Sequence, residues 1–199
     1  GKGQRPRMTI SQIFQDVTIP WAIDMDGTLI REDVTELAFV KCLKTPWLWH
    51  IFLYGLVLQV FISVHHAHRY WEIRLPPDIN KLTYHENLIQ RIEDHCQRGG
   101  TAVLATASHY RVATEVARRV PILKEIIGSV PPTVMNAAGA VKANILSNRY
   151  PNGYIYAGNS QDDLEVWKDP CCKAMMLVNC KPEVLTMAKQ NSKPYIVIP

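Results

Sequence analysis

Residues 22–30 read Ala22-Ile23-Asp24-Met25-Asp26-Gly27-Thr28-Leu29-Ile30. Pro20 precedes a short apolar run, Trp21 to Ile23, and the two carboxylates close it. A brief apolar run bounded by proline and turn residues reads as a buried strand. Residues two apart on an extended segment point the same way, so Asp24 and Asp26 share one site while Met25 turns into the core. Gly27 lets the chain leave at an angle that other residues resist. Two acids side by side at a strand end repel each other. They point to a bound divalent cation or to a reaction in which each takes its own role.

Working outward, strands and helices alternate. Arg31 to Lys44 carries Val34, Leu37, Ala38, Val40 and Leu43 mostly at helical spacing, with acids early and lysines late, as the helix dipole favours. Thr45-Pro46 reads as an N-cap and first turn for a second helix. That helix, Trp47 to Val64, is eighteen residues without a formal charge. Its length suits a membrane span, but it lies between the first strand and later strands of the same sheet, which a span would separate. The expectation is a packed helix, with self-association or a place on a membrane surface as the other readings. His65, His66 and His68 follow, read as a solvated or substrate-facing helix end rather than a metal site. Leu75-Pro-Pro-Asp78 is a connector.

Tyr84 to Arg98 is again helical in pattern and stops at Gly99-Gly100. Thr101 to Ala105, Ile126 to Val130, Tyr154 to Ala157, Ala174 to Val178 and Tyr195 to Ile198 read as strands. Arg111 to Val120, Ala140 to Leu146 and Glu183 to Lys189 read as helices between them. This alternation predicts an α/β fold, a parallel sheet covered on both faces. Sites in such sheets lie beyond the carboxyl ends of the strands. Asp24, Thr106 and the Gly158 loop all fall there.

The bulk numbers agree with a globular chain: 199 residues, 47% hydrophobic and 20% charged. The net charge is +4, but Lys2, Arg5 and Arg7 lie in residues 1–7, which read as an expression remnant ahead of Met8. Without them 19 basic side chains face 18 acidic ones, and no case for nucleic-acid binding survives. An engineered start makes a truncated end an expectation too. Five cysteines without a Cys-x-x-Cys pair read as reduced thiols of a cytoplasmic protein, and no signal peptide is visible. Cys171-Cys172 reads as an ordinary pair of neighbours that point apart, not a redox couple.

Four stretches now stand in order: Asp24-x-Asp26-Gly27-Thr28; the hydroxyl after an apolar strand in Val103-Leu-Ala-Thr106-Ala107-Ser108; Lys142, sixteen residues before Gly158; and Gly158-Asn159-Ser160-Gln161-Asp162-Asp163. Together they resemble the four motifs of the haloacid dehalogenase (HAD) superfamily. The resemblance implies a Rossmannoid parallel sheet, residues 8–30 and 83–199, with an α-helical C1 cap inserted at 31–82. It implies a phosphatase in which Asp24 is the nucleophile and Asp26 the general acid and base. Thr106, the Ala107 amide and Lys142 would bind the phosphoryl oxygens, with Ser108 the rival of Thr106, and Lys124 and Lys173 rivals of Lys142. Mg²⁺ would be held by Asp24, the Asp26 carbonyl, Asn159 and Asp163. The usual acid after Gly158 is replaced by neutral Asn159, which bears on metal affinity, and Asp162 is the alternative acid. An acid at Asp26 argues for phosphatase or phosphomutase chemistry over dehalogenation. Thr83-Tyr84-His-Glu-Asn-Leu88, Leu104-Ala-Thr106-Ala-Ser108 and Tyr156-Ala-Gly158-Asn159-Ser160-x-x-Asp163-Leu-x-Val-Trp167 are also similar to the HAD domain that some bacterial proteins carry ahead of a UbiA-type prenyltransferase. The expected substrate is an aromatic or lipid-linked phosphate or a phosphotyrosine protein. The competing expectation is a membrane- or partner-binding module on a HAD scaffold with weak activity.

Overall fold

Three residues make a sufficient central strand here because both neighbours hold them. In the computed structural model, which describes residues 8–130 and 139–199, β1 (Trp21–Ile23) lies between β2 (Ala102–His109) and β4 (Tyr154–Gly158). Ile23 pairs in parallel with Leu104 on one side and Ala157 on the other. With β3 (Glu125–Ser129), β5 (Cys172–Val178) and β6 (Tyr195–Ile198) they form a sheet of order β3-β2-β1-β4-β5-β6, every pair parallel. The switch in strand order falls beside β1, which opens a crevice at its carboxyl end.

The sheet sorts its residues by alternation. Ile23, Ile155 and Met176 enter one apolar cluster with Leu88 and Val116, while Ala22, Tyr156 and Met175 enter the other with Trp167 and Leu146. Those clusters are the faces covered by α5 (Glu86–Gln97) and α6 (Tyr110–Ala117) on one side, and by α7 (Ala140–Arg149), α8 (Leu164–Lys168) and α9 (Pro182–Lys189) on the other. The parallel α/β expectation holds.

Several boundaries differ from the sequence reading. Residues 8–18 are mixed in sequence and carry no strong pattern, yet α1 (Ile10–Gln15) forms behind a capping box of Thr9 and Gln12. The helix expected from Arg31 starts as α2 (Val34–Lys44) because Asp33 takes the N-cap and accepts the Glu36 N–H at 3.0 Å. The long apolar helix is not continuous, and Thr45 gives it no side-chain cap. A 3₁₀ turn, Pro46–Leu48, leads into α3 (Trp49–Phe61), and the chain breaks at Ile62-Ser63. Ser63 then caps α4 (Val64–Arg74) by accepting the His66 N–H at 3.1 Å. β2 runs to His109 rather than ending near Ala105, with its register on β3 shifting between Ala105 and His109. Residues 1–7, read as a remnant, lie outside the described residues.

Between Ile30 and Leu82 the chain is helical and packs around its own apolar cluster of Ala38, Cys42, Ala67, Trp71 and Leu75. Gly55 is needed there: a Cβ on it would stand 2.0 Å from the Trp71 indole nitrogen. Phe52 stacks on Trp71 with ring centroids 5.8 Å apart. The two ends of this insertion run side by side. Ile30 and Tyr84 form an antiparallel bridge, Arg31 N–H donates to the Thr83 carbonyl at 3.0 Å, and His85 N–H donates to the Leu29 carbonyl at 2.9 Å.

Candidate active site

Asp24 follows β1 directly, buried, with its backbone N–H donated to the Ala157 carbonyl of β4 at 3.0 Å. Lys142, in the first turn of α7, reaches across the sheet end and donates to Asp24 Oδ1 at 2.9 Å. A lysine at a helix start is ordinarily solvated. This one is buried, and its Nζ also lies 3.0 Å from the Tyr156 hydroxyl and 4.0 Å from Asp163 Oδ1. Lys124 and Lys173 are exposed, and among the described contacts neither reaches this group.

Asp163 closes the arrangement from the 3₁₀ turn Gln161–Asp163 that follows β4. Its Oδ1 accepts the Tyr156 hydroxyl at 2.6 Å; its Oδ2 accepts the N–H groups of Asn159 at 2.8 Å and Ser160 at 3.0 Å. Oδ2 thus shapes the loop after Gly158, while Oδ1 faces β4. Asn159 faces the first motif, where the Thr28 hydroxyl lies 3.1 Å from Asn159 Oδ1 and 3.3 Å from Asp24 Oδ2. Gly27, at φ +72°, makes this approach possible: a Cβ there would sit 2.2 Å from the Asn159 amide nitrogen. Asp162 is exposed at the cavity edge.

Asp26 is held from the helical insertion and from β2. Its Oδ1 accepts the N–H of Val34, the first residue of α2, at 2.9 Å, and its Oδ2 accepts the Ser108 hydroxyl at 3.0 Å. Ser108 also lies 3.1 Å from Glu72 Oε1. Glu72, fully buried on α4, accepts from the Thr35 hydroxyl at 2.7 Å, the His109 N–H at 2.9 Å and the Arg69 guanidinium at 2.9 Å. Arg69 donates in turn to the Ala107 carbonyl. Thr106, buried at the register shift of β2, accepts the Ser108 N–H at 3.1 Å. So Thr106, Ala107 and Ser108 all border the site, and Ser108 binds Asp26.

A cavity of about 960 Å³ opens over these groups. Its floor holds Asp24, Asp26, Thr106, Lys142 and Asn159; Phe39, Leu56, Val64, His68 and Trp71 line it from the helical insertion. Asp24, Asp26, Thr106, Ala107, Lys142, Asn159 and Asp163 all line it, whereas the rival lysines Lys124 and Lys173 do not. Three others were missed. Tyr156 looks like a core residue of an apolar strand, and its position two residues before Gly158 was the available sign of a strand-end hydroxyl. Arg69 and Glu72, at i and i+3 on one helix, marked a charge pair in a segment otherwise without acids.

Burial dominates the electrostatics. It pushes the Asp24 carboxyl up to about 7, against the pull of Lys142 and helped by Asp163. It pushes Asp26 up to about 8, helped by Asp33, Glu72 and Asp24 and opposed by the Val34 N–H. Burial works against the Lys142 charge, but Asp24 and Asp163 outweigh it and hold the ammonium above the usual lysine range. One ammonium thus serves two buried carboxylates, and Asp26 adds a third acid. Asp24 Oδ2, the Asn159 amide oxygen and the Asp26 carbonyl are hard donors, suited to a hard divalent cation. The Thr28, Leu29 and Ile30 N–H groups donate to the Asp24 and Met25 carbonyls and Gly27 N–H to that of Glu32, so among the described residues none of these turn bonds uses the Asp26 carbonyl. Among the described residues no three His, Cys, Asp or Glu side chains converge as a metal cluster; this donor set relies instead on an amide and a backbone carbonyl.

The sequence profile of the haloacid dehalogenase-like hydrolases matches residues 22–168. The chain belongs to that family. No curated protein matches the sequence of this HAD hydrolase. Solved structures share its fold. An analogue of the phospho-aspartyl intermediate of phosphoserine phosphatase is 12% identical, with a TM-score of 0.57 over 90% of this chain and 92% of that one. A phosphoserine phosphohydrolase-like protein from Francisella tularensis is 16% identical, with a TM-score of 0.56 over 90% and 94%. A protein of unknown function from Bordetella pertussis is 13% identical, with a TM-score of 0.62 over 91% and 98%. At these identities the likeness is one of fold.

Proposed function

We propose that this HAD hydrolase is a Mg²⁺-dependent phosphatase acting on phosphate monoesters through an aspartyl-phosphate at Asp24. The observation that carries the reading is the division of labour between the two acids. The Lys142 ammonium pulls Asp24 toward its carboxylate, against the burial that lifts it to about 7, while Asp26 has burial and the neighbouring acids Asp33, Glu72 and Asp24, which push it up to about 8. A carboxylate nucleophile needs the first state and a general acid the second.

In this mechanism an Asp24 oxygen bonds to phosphorus as the bond to the ester oxygen breaks. Asp26 gives its proton to that leaving oxygen. The carboxylate left on Asp26 then takes a proton from water as the water attacks phosphorus, which releases phosphate and restores Asp24. Lys142, the Thr106 hydroxyl and the Ala107 amide neutralise charge on the other phosphoryl oxygens. Asp24, the Asp26 carbonyl and Asn159 would hold Mg²⁺, and Asp163, whose oxygens are already engaged, would hold Asn159 and Lys142 in place. Bound there, the ion would supply positive charge to the phosphoryl group. The neutral Asn159 gives it one charge less to bind than an acid would. The apolar wall of Phe39, Leu56 and Val64 suits an aryl or lipid-linked ester.

Phosphate release from an aryl phosphate, with and without chelator, tests the reading. Asp24→Asn should cut turnover by at least about 10,000-fold, since the covalent step goes with it. Undiminished turnover in that variant, or in excess chelator, would overturn the proposal.

A further inference from the structure

The outer face of α3, with the 3₁₀ turn before it, is apolar and exposed. Trp47, Val60 and Phe61 are 78%, 77% and 80% exposed, and Leu53, Val57 and Ile62 are exposed between and beside them. Its inner face is spent on Trp71 through Phe52 and Gly55. A helix apolar on every side, with one side in water, marks a contact surface.

The charges around it choose the occupant. From Leu37 to Trp71 the chain contains no aspartate or glutamate. Lys41 and Lys44 stand exposed in the last turn of α2, beside exposed Leu43. Two copies pressed face to face would bring these positive rims together with no acid from the same stretch to meet them. An anionic surface meets both features at once. Trp47 and Tyr54 add rings with an apolar body and a polar edge, the kind that settles at a lipid–water boundary. α3 is thirteen residues, and among the described residues no helix is long and apolar enough to cross a membrane. The helix therefore lies along the surface.

We infer that the outer face of α3, with Lys41 and Lys44 at its rim, docks on an anionic phospholipid membrane. Leu56 and Gln59 of the same helix line the cavity over Asp24, so docking brings the cavity wall to the bilayer. The inference does not rest on the catalytic reading, and its readout is binding rather than turnover.

Flotation of the full chain with phosphatidylcholine vesicles, and with vesicles that also contain phosphatidylglycerol, tests it. Sedimentation without vesicles reports the oligomeric state. The chain should float with the anionic vesicles and much less with the neutral ones. Trp47→Glu/Phe61→Glu should weaken that binding by at least about a hundredfold, as expected when two large apolar side chains no longer insert. Both side chains are exposed, so the fold should hold, with circular dichroism as the check. Lys124→Glu makes the same change in net charge at the opposite end of the sheet and should keep binding. The inference is overturned by absent flotation, by equal flotation on both vesicles, or by undiminished flotation of the double variant. A dimer that the double variant dissociates, without flotation, would assign the face to a second copy instead.

Discussion

The sheet and the helical insertion over it are built in opposite senses. The sheet buries Ile23, Ile155 and Leu177 and sets its charges at the strand ends. The insertion buries a charge pair, Arg69 and Glu72, and turns Phe61, Val60 and Trp47 to water. The contrast teaches where each part meets its partners. The sheet's polar groups serve the cavity, and the insertion's serve the seam with β2, through Ser108, His109 and Ala107. The outward side of α3 is left apolar, with Lys41 and Lys44 exposed on α2.

Three substitutions break or sharpen this contrast. Lys142→Met should do the most damage, because it leaves Asp24 and Asp163 without their shared cation. Turnover of an aryl phosphate should fall by about 1,000-fold, and denaturant unfolding should show a loss of about 3 kcal/mol. Wild-type turnover in Lys142→Met would remove the ammonium from the mechanism.

Glu72→Leu strands Arg69 in the seam and should cost about 3 kcal/mol, by the same reasoning for a broken buried pair. The loss should be local. Amide exchange should speed up across α2, α3 and α4 while β1, β4 and β5 stay protected. Uniform loss of protection would show that lid and sheet unfold as one unit, and the contrast would fail.

Asp26→Asn has a smaller effect on stability and an opposite sign. The folded state holds the Asp26 proton up to about pH 8, whereas the unfolded chain releases it near pH 4. The folded state therefore binds more protons between those limits, and stability from this group falls as pH rises through them. Removing the acid should raise Tm by at least about 3 °C at pH 8 and by less at pH 5, while turnover is lost. Thermal melts at the two pH values check the sign. A lower Tm at pH 8 would mean that the Asp26 carboxylate stabilises the fold.

The sequence was most informative where chemistry follows a strand. Asp24, Thr106 and Asn159 come directly after apolar runs, so one-dimensional order placed them at one edge of the sheet. Lys142 follows only from its order and spacing among the family's motifs, and its burial is not foreseeable, because the groups around it come from the end of β1, from β4 and from the Asp163 turn. Tyr156 was hidden for a related reason. A tyrosine in a buried strand packs its ring whether or not its hydroxyl has work at the strand end. The break between α3 and α4 escaped because a uniformly apolar helix has no periodicity to interrupt; only Ser63 marked it. Arg69 and Glu72 found their partners more than thirty residues away, at Ala107, Ser108 and Thr35, which no local pattern reports.

The insertion begins after Ile30 and ends before Tyr84, and an isolated antiparallel bridge joins those two residues. Its two stems therefore form a socket. A lid of another length or shape could be spliced there with the register of β1 on β2 and β4 undisturbed. Asp24 and Lys142 would keep their mutual contact beneath any such piece, since neither belongs to it.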